Sequence, residues 1–159
     1  MIVHRYAELF TDGAHDAARA RSVAARCREF SQFVAEHGGA ALAARLATRV
    51  AYHPSCHLLR GLGIREQPQA LLRAIDGVEA VAFAEPEECC GFGGLFSIKN
   101  PDISGSMLDR KLTAIIASGA DRLVSCDLGC LLHLEGGLHR RNAAIRTQHI
   151  AELIDEALR

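Results

Sequence analysis

The hydrophobic rhythm of this chain changes near residue 49. Before that point it is helical. Residues 2–10 suit a short helix, and Thr11-Asp12-Gly13 suits a turn in which Thr11 or Asp12 can cap the next helix. From Ala14 to His37, Val23, Cys27, Phe30 and Val34 recur at spacings of four, three and four, one face of a helix that ends at Gly38-Gly39. The Ala-rich residues 40–48 form a short helix or a connector. After residue 49, apolar runs of strand type alternate with helical patterns. Strands are expected at 49–53, 79–84, 123–125 and 144–147. Helices are expected at 68–75, 100–119 and 150–158, with a partly helical segment at 128–138 broken by Gly136-Gly137. Asp76-Gly77 is expected to end the helix before it. Alternation of this kind predicts an α/β fold: a small parallel sheet of about four strands, flanked by helices and joined by right-handed crossovers. Residues 1–48 are a helical lead-in, and 49–159 are the α/β domain.

Composition narrows the class. A chain of 159 residues fits one domain and buries a core without disulfide staples. With 49% hydrophobic residues and no Trp, aliphatic side chains must fill that core. The net charge of −1 and the lack of a basic stripe argue against nucleic acid as the main partner. No apolar run reaches membrane-spanning length, and the start lacks the apolar stretch of a signal peptide. The cytoplasm is therefore the expected location, where thiols stay reduced and can bind metals.

The chemistry lies in the cysteines. Cys56 is followed after 32 residues by the adjacent pair Cys89-Cys90, and after 35 more by Cys126, with Cys130 close behind. Each group follows a predicted strand. Ligands of parallel sheets sit at the carboxyl ends of the strands, so the pattern brings all three groups to one edge. A disulfide between neighbouring cysteines strains the backbone, so Cys89 and Cys90 are better read as two sulfurs aimed at one external object. Soft thiolates gathered in this way suit an iron–sulfur cluster, with zinc as the alternative. Zinc sites use paired Cys-x-x-Cys knuckles, and the chain has none. Cys27, on the apolar stripe of its helix, is expected to be a buried small hydrophobe.

Gly91-Phe92-Gly93-Gly94 follows the cysteine pair. Gly91, Gly93 and Gly94 allow close backbone approach and positive φ, and successive amide groups there form an anion-binding concavity. No Gly-Lys-Ser/Thr follows, which argues against a phosphate loop. His53 and His57 flank Cys56. A lone histidine beside a metal more often orients a ligand than serves as one, and His57 is the nearer candidate of the two. His149, at the end of the fourth strand, is expected to be structural or an orienting group. Glu87 and Glu88 are a solvated turn. Neither a Ser-His-Asp nor a His-Glu-x-x-His pattern occurs.

Three segments together carry a resemblance: Tyr52-His53-Pro54-Ser55-Cys56-His57-Leu58, Glu88-Cys89-Cys90-Gly91-Phe92-Gly93-Gly94, and Asp127-Leu128-Gly129-Cys130-Leu131. They resemble the cysteine-rich CCG domain found in the L-lactate utilisation protein A group, in the glycolate oxidase iron–sulfur subunit and in heterodisulfide reductase. The resemblance implies a bound iron–sulfur cluster, of 4Fe-4S type, and electron transfer in the oxidation of a 2-hydroxy acid, lactate or glycolate. It implies Cys56, Cys89, Cys90 and Cys130 as ligands. The broader family pattern ends in Cys-x-x-Cys, whereas three residues separate Cys126 from Cys130 here, so Cys126 is either an additional ligand or a spectator. The implied partners are other subunits of a lactate or glycolate oxidation complex. Full-length members carry two domain copies and this chain carries one, so a first copy is a further expected partner. Two other functions stay open: a domain that reduces disulfides, and a zinc-stabilised interaction module.

Overall fold

The computed structural model describes residues 2–10, 14–38 and 42–159. The proposed caps Thr11 and Asp12, together with Gly39 and residues 40–41 of the connector, lie outside them. Helix α1 (Ile2–Arg5) runs into a 3₁₀ turn at Tyr6–Leu9. The helix expected over 14–37 is two helices, α2 (Ala14–Arg26) and α3 (Phe30–Glu36). Glu29 makes the break. Its carboxylate accepts hydrogen bonds from the amides of Ser31 (2.9 Å) and Gln32 (3.3 Å), capping α3 and stopping α2 from continuing. Cys27 lies in this break and is half-buried rather than a core residue.

Four parallel strands follow: β1 (Arg45–Tyr52), β2 (Asp76–Ala80), β3 (Arg122–Ser125) and β4 (Arg146–His149), in the order β2-β1-β3-β4. Between them come α4 (Glu66–Arg73), the short α5 (Leu95–Lys99), α6 (Pro101–Ala117) and α7 (Leu128–Arg140), and α8 (Ile150–Ala157) closes the chain. The predicted α/β architecture is the one observed. Three predictions are corrected. β2 begins at Asp76, where a turn was expected, because Gly77 packs directly on the β1 backbone (a Cβ there would meet Ala47 Cα at 3.2 Å). β1 starts at Arg45, inside the expected connector. α7 runs unbroken through Gly136-Gly137. A Cβ at Gly137 would lie 2.5 Å from Leu112 Cδ1, so this glycine lets α7 and α6 approach closely instead of ending a helix.

Alternation along β1 and β3 builds two cores. Val50 and Val124 face α4 and α8, packing with Leu71, Leu72, Ile150 and Leu153. Ala51 and Leu123 face α6 and α7, packing with Leu112, Ile115, Leu134 and Leu138. Outside the cores, Arg122 forks onto Glu156 with N–O distances of 2.8 and 2.9 Å, tying β3 to α8. The Arg122 hydrogen bonds hold the Glu156 carboxyl at about 2, well below its ordinary 4.5. Stabilisation of this sign is fully present above about pH 4.5 and is lost as pH falls towards 2. Thermal melts of Glu156→Gln and the parent chain should therefore differ most near neutral pH and converge by pH 2.

Candidate metal centre

The sheet order places the change of chain direction between β1 and β3. After β1 the chain crosses to one side for β2, then returns past β1 for β3. Crevices at the carboxyl ends of such strands are the usual ligand sites of parallel sheets. His53 prolongs β1 by one ladder bond, donating its N–H to Val124 O at 2.8 Å, and its own carbonyl accepts from Ser125 Oγ at 2.9 Å. Pro54 then takes the chain out of the ladder. Cys56 opens a π-helical turn, His57–Leu62, braced by a 3.2 Å bond from Leu58 N–H to Ser55 Oγ. After β3, Asp127 caps α7 by accepting from the Cys130 amide at 3.0 Å, which fixes Cys130 in the first helical turn.

The loop after β2 delivers Cys89-Cys90, and α6 clamps it at two points. Buried Ser104 donates to Gly91 O at 2.8 Å. Buried Lys111 donates to Glu85 O at 2.7 Å and Pro86 O at 3.1 Å, and lies 5.4 Å from the centre of the Phe83 ring. Burial lowers the Lys111 pKa, and the nearby Glu88 and cysteine charges oppose that shift. Glu87 and Glu88 are exposed, as expected of a solvated turn, and Glu87 is paired with Arg65.

Four of the five predicted sulfurs form two close pairs. Cys56 Sγ lies 4.0 Å from Cys89 Sγ, and Cys90 Sγ lies 3.1 Å from Cys130 Sγ. Cys90 and Cys130 are buried, and all six cysteines are free thiols. Cys90 and Cys130 are hydrogen-bonded to each other. That hydrogen bond pushes the Cys90 thiol down to about 4 and raises its partner. Burial raises Cys89, while the Gly91 N–H, 3.4 Å from Cys89 Sγ, opposes the rise. The Phe92 N–H favours the Cys90 thiolate. Two successive amides of the glycine run thus face two successive sulfurs. Gly93 and Gly94 are exposed beyond them.

Cys126 is not with this group. β1 and β3 alternate, so Tyr52 and Cys126 share the face of Val50 and Val124. Cys126 Sγ sits 3.7 Å from the Tyr52 hydroxyl, and burial pushes its pKa up to about 12. Cys90 and Cys130 belong to the opposite core. His57 is exposed over Gly61, whose Cβ would lie 3.1 Å from the His57 ring. His149 is structural: its Nδ1 accepts from the Ala151 amide at 3.2 Å and caps α8.

The histidine brought to the sulfurs is His53, whereas sequence proximity favours His57. It is 0% exposed, neither ring nitrogen has a hydrogen-bond partner, and its donor atom lies within 4.8 Å of the Cys90 and Cys130 sulfurs. Strand alternation is the signal that could have found it, since it puts residue 53 on the face of Ala51, opposite Tyr52. Four cysteine sulfurs, two of them buried, and a buried imidazole are a donor set that fits a thiophilic metal or an iron–sulfur cluster.

The chain is similar in sequence to known proteins. A family model described as a cysteine-rich domain (CCG) matches residues 50–135. Lactate utilization protein A of an Exiguobacterium species is 38% identical over 160 aligned residues, covering 100% of this chain and 65% of its own length. Lactate utilization protein A of Macrococcus caseolyticus is 40% identical over 151 residues, covering 94% of this chain and 62% of its own length. The uncharacterized protein YkgE of Escherichia coli is 38% identical over 153 residues, covering 96% and 64% respectively. The chain thus spans slightly under two thirds of the length of these relatives. Among the described residues, no helix is long and apolar enough to cross a membrane.

Proposed function

The chain belongs to the cysteine-rich domain family, and from that premise we propose that it binds an iron–sulfur cluster, of 4Fe-4S type, and carries electrons in the oxidation of a 2-hydroxy acid, lactate or glycolate. One observation supports the reading: residues far apart in sequence form two close sulfur pairs, Cys56 with Cys89 and Cys90 with Cys130, in the segments that follow the strands. These four are the assigned ligands, and Cys126, on the other face, is left out. A cluster held here would accept and donate single electrons. Oxidising a hydroxy acid to its keto acid releases two electrons, and a centre of this kind relays them.

The protein's own groups prepare the site. The Gly91 and Phe92 amides offset negative charge on sulfur, and N–H bonds to cluster sulfurs are among the factors that set reduction potential. Lys111 holds the approach to the cysteine pair and adds a buried positive charge beside it. Partner subunits of a lactate or glycolate oxidation system supply substrate binding and the remaining carriers. Free thiols suit the cytoplasm, where they stay reduced.

One spacing favours a second reading. Two thiolates on one tetrahedral zinc, at bonds of ~2.3 Å, lie about 3.8 Å apart, and Cys56 and Cys89 are 4.0 Å apart. Anaerobic reconstitution with iron and sulfide, with zinc offered in competition, separates the two. A brown protein holding iron and acid-labile sulfide is expected. A colourless protein holding stoichiometric zinc overturns the iron–sulfur reading.

A further inference from the structure

We propose that His53 is itself a ligand of the metal centre, which then carries a nitrogen donor beside its thiolates. The proposal rests on the metal-centre reading above and adds a residue to it. Its basis is a buried group with nothing to bind. His53 is 0% exposed and both its nitrogens lack partners. Other histidines find partners: His4 at Gly61 O, His37 at Phe33 O, and His149 at the Ala151 amide. A buried polar atom left unsatisfied is destabilising, so a fold that keeps two in one ring needs a compensating interaction.

The surroundings limit what that interaction is. The His53 backbone is pinned at both its N–H and its carbonyl, and buried Pro54 comes directly after it. The ring is therefore held over the crevice by the sheet itself. Its donor atom and the Cys90 and Cys130 sulfurs all lie within 4.8 Å of one another, close enough for the imidazole to favour the Cys90 thiolate although no hydrogen bond of ordinary geometry joins them. Around one tetrahedral metal, with N and S bonds of ~2.0–2.1 and ~2.3 Å, a nitrogen and a sulfur stand roughly 3.6 Å apart. Small side-chain rotations close that difference. A neutral imidazole gives its lone pair to the metal and keeps one N–H. Substituting a neutral nitrogen for an anionic thiolate also raises a centre's reduction potential.

The test uses the full chain, labelled with ¹⁵N-histidine, reconstituted anaerobically with iron and sulfide and then reduced. Pulsed paramagnetic resonance should detect a strongly coupled histidine nitrogen. His53→Ala should lose that coupling and lower the potential, and His57→Ala should keep both. His53→Cys covers the case in which the alanine variant fails to fold: it should hold iron on sulfur alone, without the nitrogen signal. Iron bound with no histidine coupling in the parent protein overturns the proposal, as does coupling that survives in the His53 variants. If the protein takes zinc and no iron, the iron–sulfur reading fails separately. X-ray absorption at the zinc edge then decides: imidazole scattering that disappears with His53 supports the ligand, and its absence from the parent overturns it.

Discussion

Cys90→Ser is expected to lower bound iron by at least tenfold after anaerobic reconstitution. Removing hydrogen-bonding partners of metal ligands already costs roughly 10–100-fold in affinity, and a direct thiolate is a stronger determinant than any of those partners. Cys90 is 1% exposed, stands 3.1 Å from Cys130 and belongs to the α6–α7 core. Serine there offers a harder oxygen that cannot replace the thiolate, so both the centre and its packing suffer. Two controls make the result specific. Cys126→Ala should retain iron, because Cys126 lies with Tyr52 on the opposite face of the sheet. Cys27→Ser should also retain it, because Cys27 lies in the break between α2 and α3. Iron and sulfide analysis, with circular dichroism to confirm folding, reads the outcome. Equal loss in all three variants would overturn the ligand assignment.

The contrast between Cys90 and Cys126 shows how much the sequence discloses. Spacing and strand-ending position are enough to bring Cys56, Cys89, Cys90 and Cys130 to one edge. Spacing alone is not enough for Cys126, which comes directly after β3. Two-residue alternation decides that case: Leu123 and Ser125 take one face, Val124 and Cys126 the other. Cys130 reaches the first face only because α7 turns the chain over onto it. Position relative to the strand likewise separates His53, three residues before Cys56, from His57, directly after it. His53 is still in register with β1, whereas His57 has entered the π-helical turn.

Misplaced elements also have local causes. β2 is an edge strand with the polar sequence Asp-Gly-Val-Glu-Ala, so it carries no buried-strand signal. The apolar residues after it, 81–83, attract a strand assignment although they lie past the ladder, where Val81 N–H still bonds Val50 O and Val81 and Phe83 pack on the α6–α7 core. Gly136-Gly137 is locally a helix breaker, and only the facing α6, with Leu108 and Leu112 against Gly137, reveals it as a packing device. Each error arises where a partner distant in sequence outweighs local preference.

Gly91→Ala should damage both stability and metal retention. Gly91 has φ +90°, and a Cβ there would stand 2.7 Å from Ser104 O, a backbone atom of α6 that cannot rotate aside. A residue forced into such a conformation costs about 1–3 kcal/mol, and the clash adds to it. The same displacement loosens the Ser104 bond to Gly91 O and moves the Gly91 N–H away from Cys89 Sγ. We expect a loss of about 2–4 kcal/mol in urea unfolding of the metal-free protein, where strain alone is read. We also expect severalfold weaker iron retention after reconstitution. Gly94→Ala is the matched comparison, since its Cβ would meet nothing within 4 Å although its φ is +56°. It should show the conformational penalty without the clash, and keep its iron. If the two variants lose iron equally, the contact with α6 does not position the cysteine pair, and the glycine at 91 serves backbone conformation alone.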